Sequence, residues 1–326
     1  MSSLGAIRSQ VTRPLRPLAV SVSQRFVPGN RAVVLMYHRI TGLEFDPWRL
    51  GVAPDRFAEQ MELVQRYFDV VPLSELADGL ERGVVSSRTV AVTFDDGYRD
   101  LLYNAKPVLE RLGVPGTVFV ASGYVGSGRN FWWDALELIC FSPNRPTKGQ
   151  IGLEALGGDW AQESGELYMA LWEQLHPLPD APRRAVLEEL AQAAGVDPDA
   201  DPQTMTVDEL TQLAAGDVVD IGGHTVTHPA LADLPLDEQL EEMANSRTQL
   251  EAFIGRPVTS FCFPHGRYTQ ESLGLLPTAG YRQGCVSVRA LVRPGAYRFE
   301  IPRWQATNLH ADVFVWELAR FFRGGG

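Results

Sequence analysis

Apolar positions along the chain follow two alternating rhythms. Ala32–Tyr37 is a short unbroken apolar run, and Thr89–Phe94 is rich in β-branched residues; both patterns predict buried strands. Thr117–Val120, Val218–Ile221 and Val258–Phe263 repeat this look, and Val70–Pro72, residues 282–288 and residues 297–301 offer further short strands. Between them the period changes to that of a helix. Asp55–Phe68 carries Phe57, Met61, Val64 and Phe68 on one face, and Leu73–Leu80 reads as a helix with Ser74 in a capping role. Leu101–Leu112 stops at Gly113 and Pro115, and Leu236–Ile254 stops at Gly255 and Pro257. Ser272–Thr278 and Asp312–Phe322 complete the helical set. Strands alternating with helices imply parallel pairing with crossover connections, which a barrel or an open doubly wound sheet would both satisfy.

The middle breaks the rhythm. Residues 141–206 are punctuated by Pro and Gly and hold two helical pieces, around 162–174 and 182–194, as an insertion between strands of one domain would. We therefore expect a basic arm over residues 1–30 and one domain over 31–326. The arm changes the charge picture. Residues 1–43 hold Arg8, Arg13, Arg16, Arg25, Arg31 and Arg39 and no acid, whereas the whole chain of 326 residues has a net charge of −11. That balance argues against nucleic acid as a partner, while the basic arm is suited to peripheral contact with an anionic membrane surface. No apolar run is long enough to span a bilayer. Three widely separated cysteines, Cys140, Cys262 and Cys285, suggest no disulfide framework and fit a reducing cytoplasm.

Three clusters carry chemistry, and each follows a strand. Thr93-Phe94-Asp95-Asp96-Gly97 places two carboxylates where a strand ends; alternation along a strand forbids both from facing one pocket unless the chain turns there, and Gly97 permits the turn. Gly222-Gly223-His224-Thr225-Val226-Thr227-His228-Pro229 sets two imidazoles four residues apart, and Pro229 argues for a turn at His228. One carboxylate and two imidazoles make a three-ligand set with room for water and substrate, the composition of a catalytic metal centre. Zinc suits it first, and cobalt, manganese or iron also accept mixed N/O ligands. The remaining Asp is then free to act as a base. The third cluster, Phe263-Pro264-His265-Gly266, has the special backbone that can aim an N–H at a developing oxyanion. Phe131-Trp132-Trp133-Asp134 offers either aromatic faces to a ligand or the start of a buried helix.

Taken in order, these motifs resemble the polysaccharide deacetylase (NodB-homology, carbohydrate esterase 4) family over roughly residues 31–310. Thr93–Gly97 looks like its Thr-Phe-Asp-Asp-Gly motif and His224–His228 like its His-Thr-x-x-His motif. Leu35–Ile40 is similar to the first strand of one bacterial subgroup. The resemblance implies an α/β fold, a distorted (β/α)7 barrel. It implies one divalent metal held by Asp96, His224 and His228, Asp95 as the base, and the N–H of His265 at the oxyanion, where the family has Tyr or Phe. The family's C-terminal Leu-x-His is not matched by Asn308-Leu309-His310, so His38 is the expected general acid in place of His310. Arg303 is expected to pair with Asp95 and keep it ionised. The implied reaction is hydrolysis of an N-acyl, chiefly N-acetyl, group on an amino sugar. A non-sugar amide, an O-acetyl ester, or a catalytically silent carbohydrate-binding role are the alternatives on the same scaffold.

Overall fold

The computed structural model describes residues 30–146 and 163–324. Its centre is a parallel sheet in the order β8-β7-β6-β5-β4-β3-β1-β9, with β2 (Asp69–Val70) paired to the start of β3. The strands are β1 (Ala32–Tyr37), β3 (Thr89–Phe94), β4 (Gly116–Val120), β5 (Val219–Gly223), β6 (Ser260–Cys262), β7 (Gln283–Val286), β8 (Ile301–Pro302) and β9 (Trp304–Gln305). The two ends of that order are one piece of chain. Ile301 and Pro302 pair with Cys285 and Val286, and then Trp304 and Gln305 pair with Leu35 and Met36. Arg303 is the residue between. Residues 301–305 therefore close the ring, and with β1, β3, β4, β5, β6 and β7 they make seven strand positions of a nearly closed (β/α)7 barrel. This resolves the choice between barrel and open sheet.

The helices follow the apolar periods: α1 (Pro54–Tyr67), α2 (Leu73–Glu81), α3 (Lys106–Leu112) after a π-helical turn at Leu101–Ala105, α4 (Trp132–Cys140), α5 (Ser164–Leu175), α6 (Asp180–Ala194), α7 (Val207–Ala214), α8 (Leu236–Ile254), α9 (Gln270–Leu275) and α10 (Ala311–Phe322). One local expectation fails. Ser74 does not cap α2: the cap residue is Pro72 and no side chain bonds the free amides there.

Strand parity divides the core in two. Val33, Leu35, Val90, Val92 and Phe94 pack outward with Phe57, Met61 and Val64 of α1. The alternate set, Ala32, Val34, Ala91, Phe119, Cys262, Cys285 and Ile301, packs inside the barrel over Leu73, Leu76 and Leu80 of α2. Both faces of β1, β3 and β4 are thus buried, which is why those segments read as continuous apolar runs. The same parity carries the inward face up through Met36 to His38 and through Thr93 to Asp95. Helices α4, α5 and α6 build a satellite core of Trp132, Leu136, Leu171, Leu187 and Leu190 beside the barrel mouth.

Among the described residues no helix is long and apolar enough to cross a membrane. The basic arm expected over residues 1–30 lies, but for its last residue, outside the described part, as do residues 147–162 of the expected insertion.

Candidate active site

The first carboxylate pair sits where β3 leaves the barrel. Asp96 adopts φ 72° and Gly97 φ 82°. A Cβ on Gly97 would lie 2.9 Å from Val120 Cγ1, so only glycine fits. The left-handed step at Asp96 lets both carboxylates reach one cleft, the arrangement an extended strand forbids. Of seven non-glycine residues with positive φ among the described residues, four are Asp96, Thr225, His228 and His265. Such strain is retained where surrounding structure enforces it, commonly at functional sites.

Asp95 is clamped. Arg303 donates to Oδ1 and Oδ2 at 2.6 Å each, the bidentate geometry expected of the strongest carboxylate pairs. Both partners are buried in the barrel. Burial alone would raise the Asp95 pKa, but the Arg303 charge and hydrogen bonds bring it below the ordinary carboxylate value. Arg303 also donates to Cys262 Sγ at 2.9 Å and to Thr93 Oγ1 at 3.2 Å. Burial pushes the Cys262 thiol up, so it stays protonated. His38 Nε2 lies 3.8 Å from Asp95 Oδ2 at the top of β1, with the side chain 15% exposed.

His224 and His228 meet Asp96. Their Nε2 atoms are 3.5 and 3.2 Å from Asp96 Oδ1, and all three residues are buried. The turn that brings them together is held from within and from outside. Thr225 Oγ1 accepts from the His228 N–H at 3.0 Å. Glu242 of α8 accepts from the amides of Val226 and Thr227 and from Thr227 Oγ1. His224 Nδ1 bonds the Cys262 carbonyl at 2.7 Å, which fixes the ring with Nε2 toward Asp96.

The donor chemistry fits a divalent metal. One ligand atom from each of Asp96, His224 and His228 lies within 4.8 Å of the others. Burial works against ionised Asp96, yet hydrogen bonds from His224 and His228 hold its pKa well below the ordinary value. Burial lowers that of His228. Both groups are thus in the forms that bind metal, an ionised carboxylate and a neutral imidazole. A second cluster, Asp95, His224 and Cys262, is as compact but fits less well, because Arg303 occupies Asp95 and the thiol is protonated.

A cleft of about 460 Å³ brings together His38, Asp95, Asp96, His224, His228 and His265. His265 takes φ 57° in the turn after β6, and its ring packs edge-on to His228 with centroids 4.6 Å apart. Burial, then the imidazoles of His228 and His176, keep it well below the ordinary histidine pKa. His310 is elsewhere, exposed at the start of α10 and 3.2 Å from Arg56.

The cleft walls contain residues that sequence reasoning missed. Trp48, Trp172 and His176 line it beside Trp133. His176 stacks on Trp172 at 4.5 Å, an i, i+4 pair at the end of α5. Only that spacing was visible in the sequence, and nothing tied it to a strand end. Trp133 lies in the first turn of α4, so both expectations for the Phe131–Asp134 segment meet there: it begins a helix and it offers a ring to the cleft.

Comparison with known proteins bears on the family and the fold. Residues 82–284 match the family model described as polysaccharide deacetylase. YxkH of Bacillus subtilis strain 168, which bears the polysaccharide deacetylase name, is 22% identical over 211 residues, 65% of this chain; the chain spans 47% of that relative's length. Two solved structures share the fold. The Streptococcus pyogenes deacetylase PplD, in complex with acetate, superposes with TM-score 0.58 at 17% identity, covering 88% of this chain and 97% of that one. IcaB from Ammonifex degensii does so with TM-score 0.59 at 19% identity, covering 90% and 98%. The family match spans more than half of the 326 residues and includes both the carboxylate and the histidine motifs, and the chain belongs to the polysaccharide deacetylase family.

Proposed function

We propose that the protein is a metal-dependent hydrolase that removes an N-acyl group, acetyl in the first instance, from an amino sugar in a polysaccharide or glycan precursor. The observation that carries this reading is the convergence, in one cleft, of the Arg303-clamped Asp95, the Asp96/His224/His228 donor set and His38. A divalent ion held by Asp96, His224 and His228 would supply Lewis acidity, polarising an acyl carbonyl and lowering the pKa of water.

The chain's own groups divide the remaining work. Asp95, kept ionised by Arg303, accepts the proton of the attacking water. Arg303 has both of its forks on Asp95, so the carboxylate cannot swing away. The His265 N–H, on its left-handed turn, is assigned to the developing oxyanion. His38 protonates the departing amine, which is a poor leaving group without that proton. Trp48, Trp133 and Trp172 give the cleft apolar faces on which a pyranose ring can stack.

Acetate release from a panel of N-acetylated mono- and oligosaccharides tests the reading, with simple N-acetyl amides and O-acetyl sugars in parallel. Release confined to the N-acetyl sugars, lost on chelation and restored by zinc, cobalt or manganese, is expected. Preferential turnover of simple amides or O-acetyl esters would redirect the substrate class, and turnover of none would sink the proposal.

A further inference from the structure

Beside the catalytic cleft lies a second cavity of about 430 Å³, and His176 and His265 line both. Its walls are the turn from α5 into α6 and the exposed face of α8; its floor is the turn that carries His228. The size is within the range of small-ligand pockets, roughly 300–1,000 Å³. Several of its polar groups are already committed. Glu242 holds the amides of Val226 and Thr227, and Asp233 accepts from Arg267 at 2.6 Å.

The uncommitted groups are more telling. Arg183 lines the cavity and is only 5% exposed. Its guanidinium lies over the Trp132 ring at 4.9 Å, but its Nε has no hydrogen-bond partner. Among the described residues no acceptor is within bonding distance of it, and the Asp180 carboxylate of the same wall acts on it only from beyond that distance. A buried guanidinium nitrogen without an acceptor is costly, because the water it lost has not been replaced. Glu238 and Glu241, on the α8 wall, are exposed and likewise make no ion pair among the described residues. One wall thus presents a guanidinium with no acceptor bonded to it, and the other presents carboxylates with no cation bonded to them.

We infer that this cavity binds a second amino-sugar unit of the same glycan, one that carries a free ammonium group. Hydroxyl and ring oxygens of such a unit accept from Arg183, and its ammonium pairs with Glu238 and Glu241. A neutral N-acetylated unit satisfies only the first wall. Because His176 and His265 border both cavities, a chain lying across them has a reacting unit in the cleft and a deacylated unit beside it. The inference rests on the amino-sugar reading of the cleft, and it adds that the protein recognises a glycan already partly deacylated.

Direct binding separates the two claims. A glucosamine tetramer has no acyl group to lose, so it is titrated into the full-length protein by calorimetry, alongside an N-acetylglucosamine tetramer. The Glu238→Gln/Glu241→Gln variant changes exposed residues, and its unchanged melting temperature verifies the fold. The variant is expected to bind the glucosamine tetramer about tenfold or more weakly, while the acetylated tetramer shifts by less than about twofold. Arg183→Gln is expected to weaken both tetramers. Equal affinities of wild type and double variant for the glucosamine tetramer overturn the inference, as does displacement of that tetramer by spermidine at concentrations where glucosamine also displaces it. Acetate release, measured on the same preparations, shows whether a failure belongs to the catalytic reading or to this cavity.

Discussion

Asp95 and Asp96 are neighbours in the chain under opposite demands. Asp95 gives both oxygens to Arg303, while Asp96 turns through a left-handed step to meet two imidazoles. Removing each should therefore have a different signature. Asp96→Ala is expected to abolish stoichiometric metal and activity together with little change in melting temperature, and elemental analysis of the purified variant checks it. Asp95→Asn is expected to keep the metal and to lose roughly 10²–10⁴-fold in rate, the usual worth of a positioned base. Full metal occupancy in the first variant, or metal loss in the second, would reassign the pair. The general acid is a separate test. His38 lies 3.8 Å from Asp95, whereas His310 is exposed beside Arg56. His38→Ala should slow amides with poor leaving groups far more than activated esters, and His310→Ala should leave both rates nearly unchanged. The reverse pattern would exchange their roles. These residues were legible in the sequence because each stands directly after a strand and belongs to a short motif. Trp48, Trp172 and His176 were not, since only tertiary packing of α5 against the barrel mouth brings them to the cleft.

At the scale of elements, the site depends on how closely β5 approaches its neighbours. Gly222 and Gly223 end that strand immediately before His224. A Cβ on Gly223 would stand 2.1 Å from the Tyr281 hydroxyl, which donates to the Met243 carbonyl of α8 at 3.0 Å. The Gly-Gly pair thus serves packing as well as the turn: it lets Tyr281 reach α8. Gly223→Ala is expected to destabilise by about 1–3 kcal/mol, as overpacking in a filled core does. Adding Tyr281→Phe, which removes the clashing oxygen, should recover part of the loss. Urea unfolding of the single and double variants measures both, and a neutral Gly223→Ala would show that the strand has slack. Strand and helix periods were readable in the sequence to within a few residues, as at Ala32–Tyr37, Thr89–Phe94 and Leu236–Ile254. Ser74 shows why caps were less so: the chain reaches α2 through Pro72, and no side chain completes the helix start.

For the whole molecule, what periodicity left open was closure, because it turns on residues 301–305 splitting their pairing between β7 and β1. The mouth of the closed barrel is then joined to the α4–α6 layer by a buried polar chain. The Trp133 indole N–H donates to the Tyr98 hydroxyl at 2.7 Å, and that hydroxyl donates to Asp134 Oδ2 at 3.0 Å. Arg39 is 4.0 Å from Asp134 but is committed to Asp100 at 2.5 Å. Burial therefore dominates, and it pushes the Asp134 pKa from 3.8 up to about 7 against the pull of Arg39. A carboxyl whose folded pKa exceeds its unfolded one binds its proton more tightly in the native state. Its contribution to stability is full below about pH 4, declines as pH rises toward 7, and is flat above. At about 1.4 kcal/mol per unit the ceiling is about 4 kcal/mol, reduced by water reaching the 17% of the side chain that remains accessible. Other carboxylates, Asp95 and Asp96 among them, titrate in the opposite sense, so the wild-type profile alone does not isolate this group. The comparison with Asp134→Asn does, because Asn imitates the protonated acid. The variant should melt higher than wild type at pH 8, and its advantage should shrink steadily as pH falls below 7, approaching zero only near and below pH 4. A difference that is constant across that range, or that grows as pH falls, would mean that Asp134 is ionised at no cost and that Arg39 is its true partner.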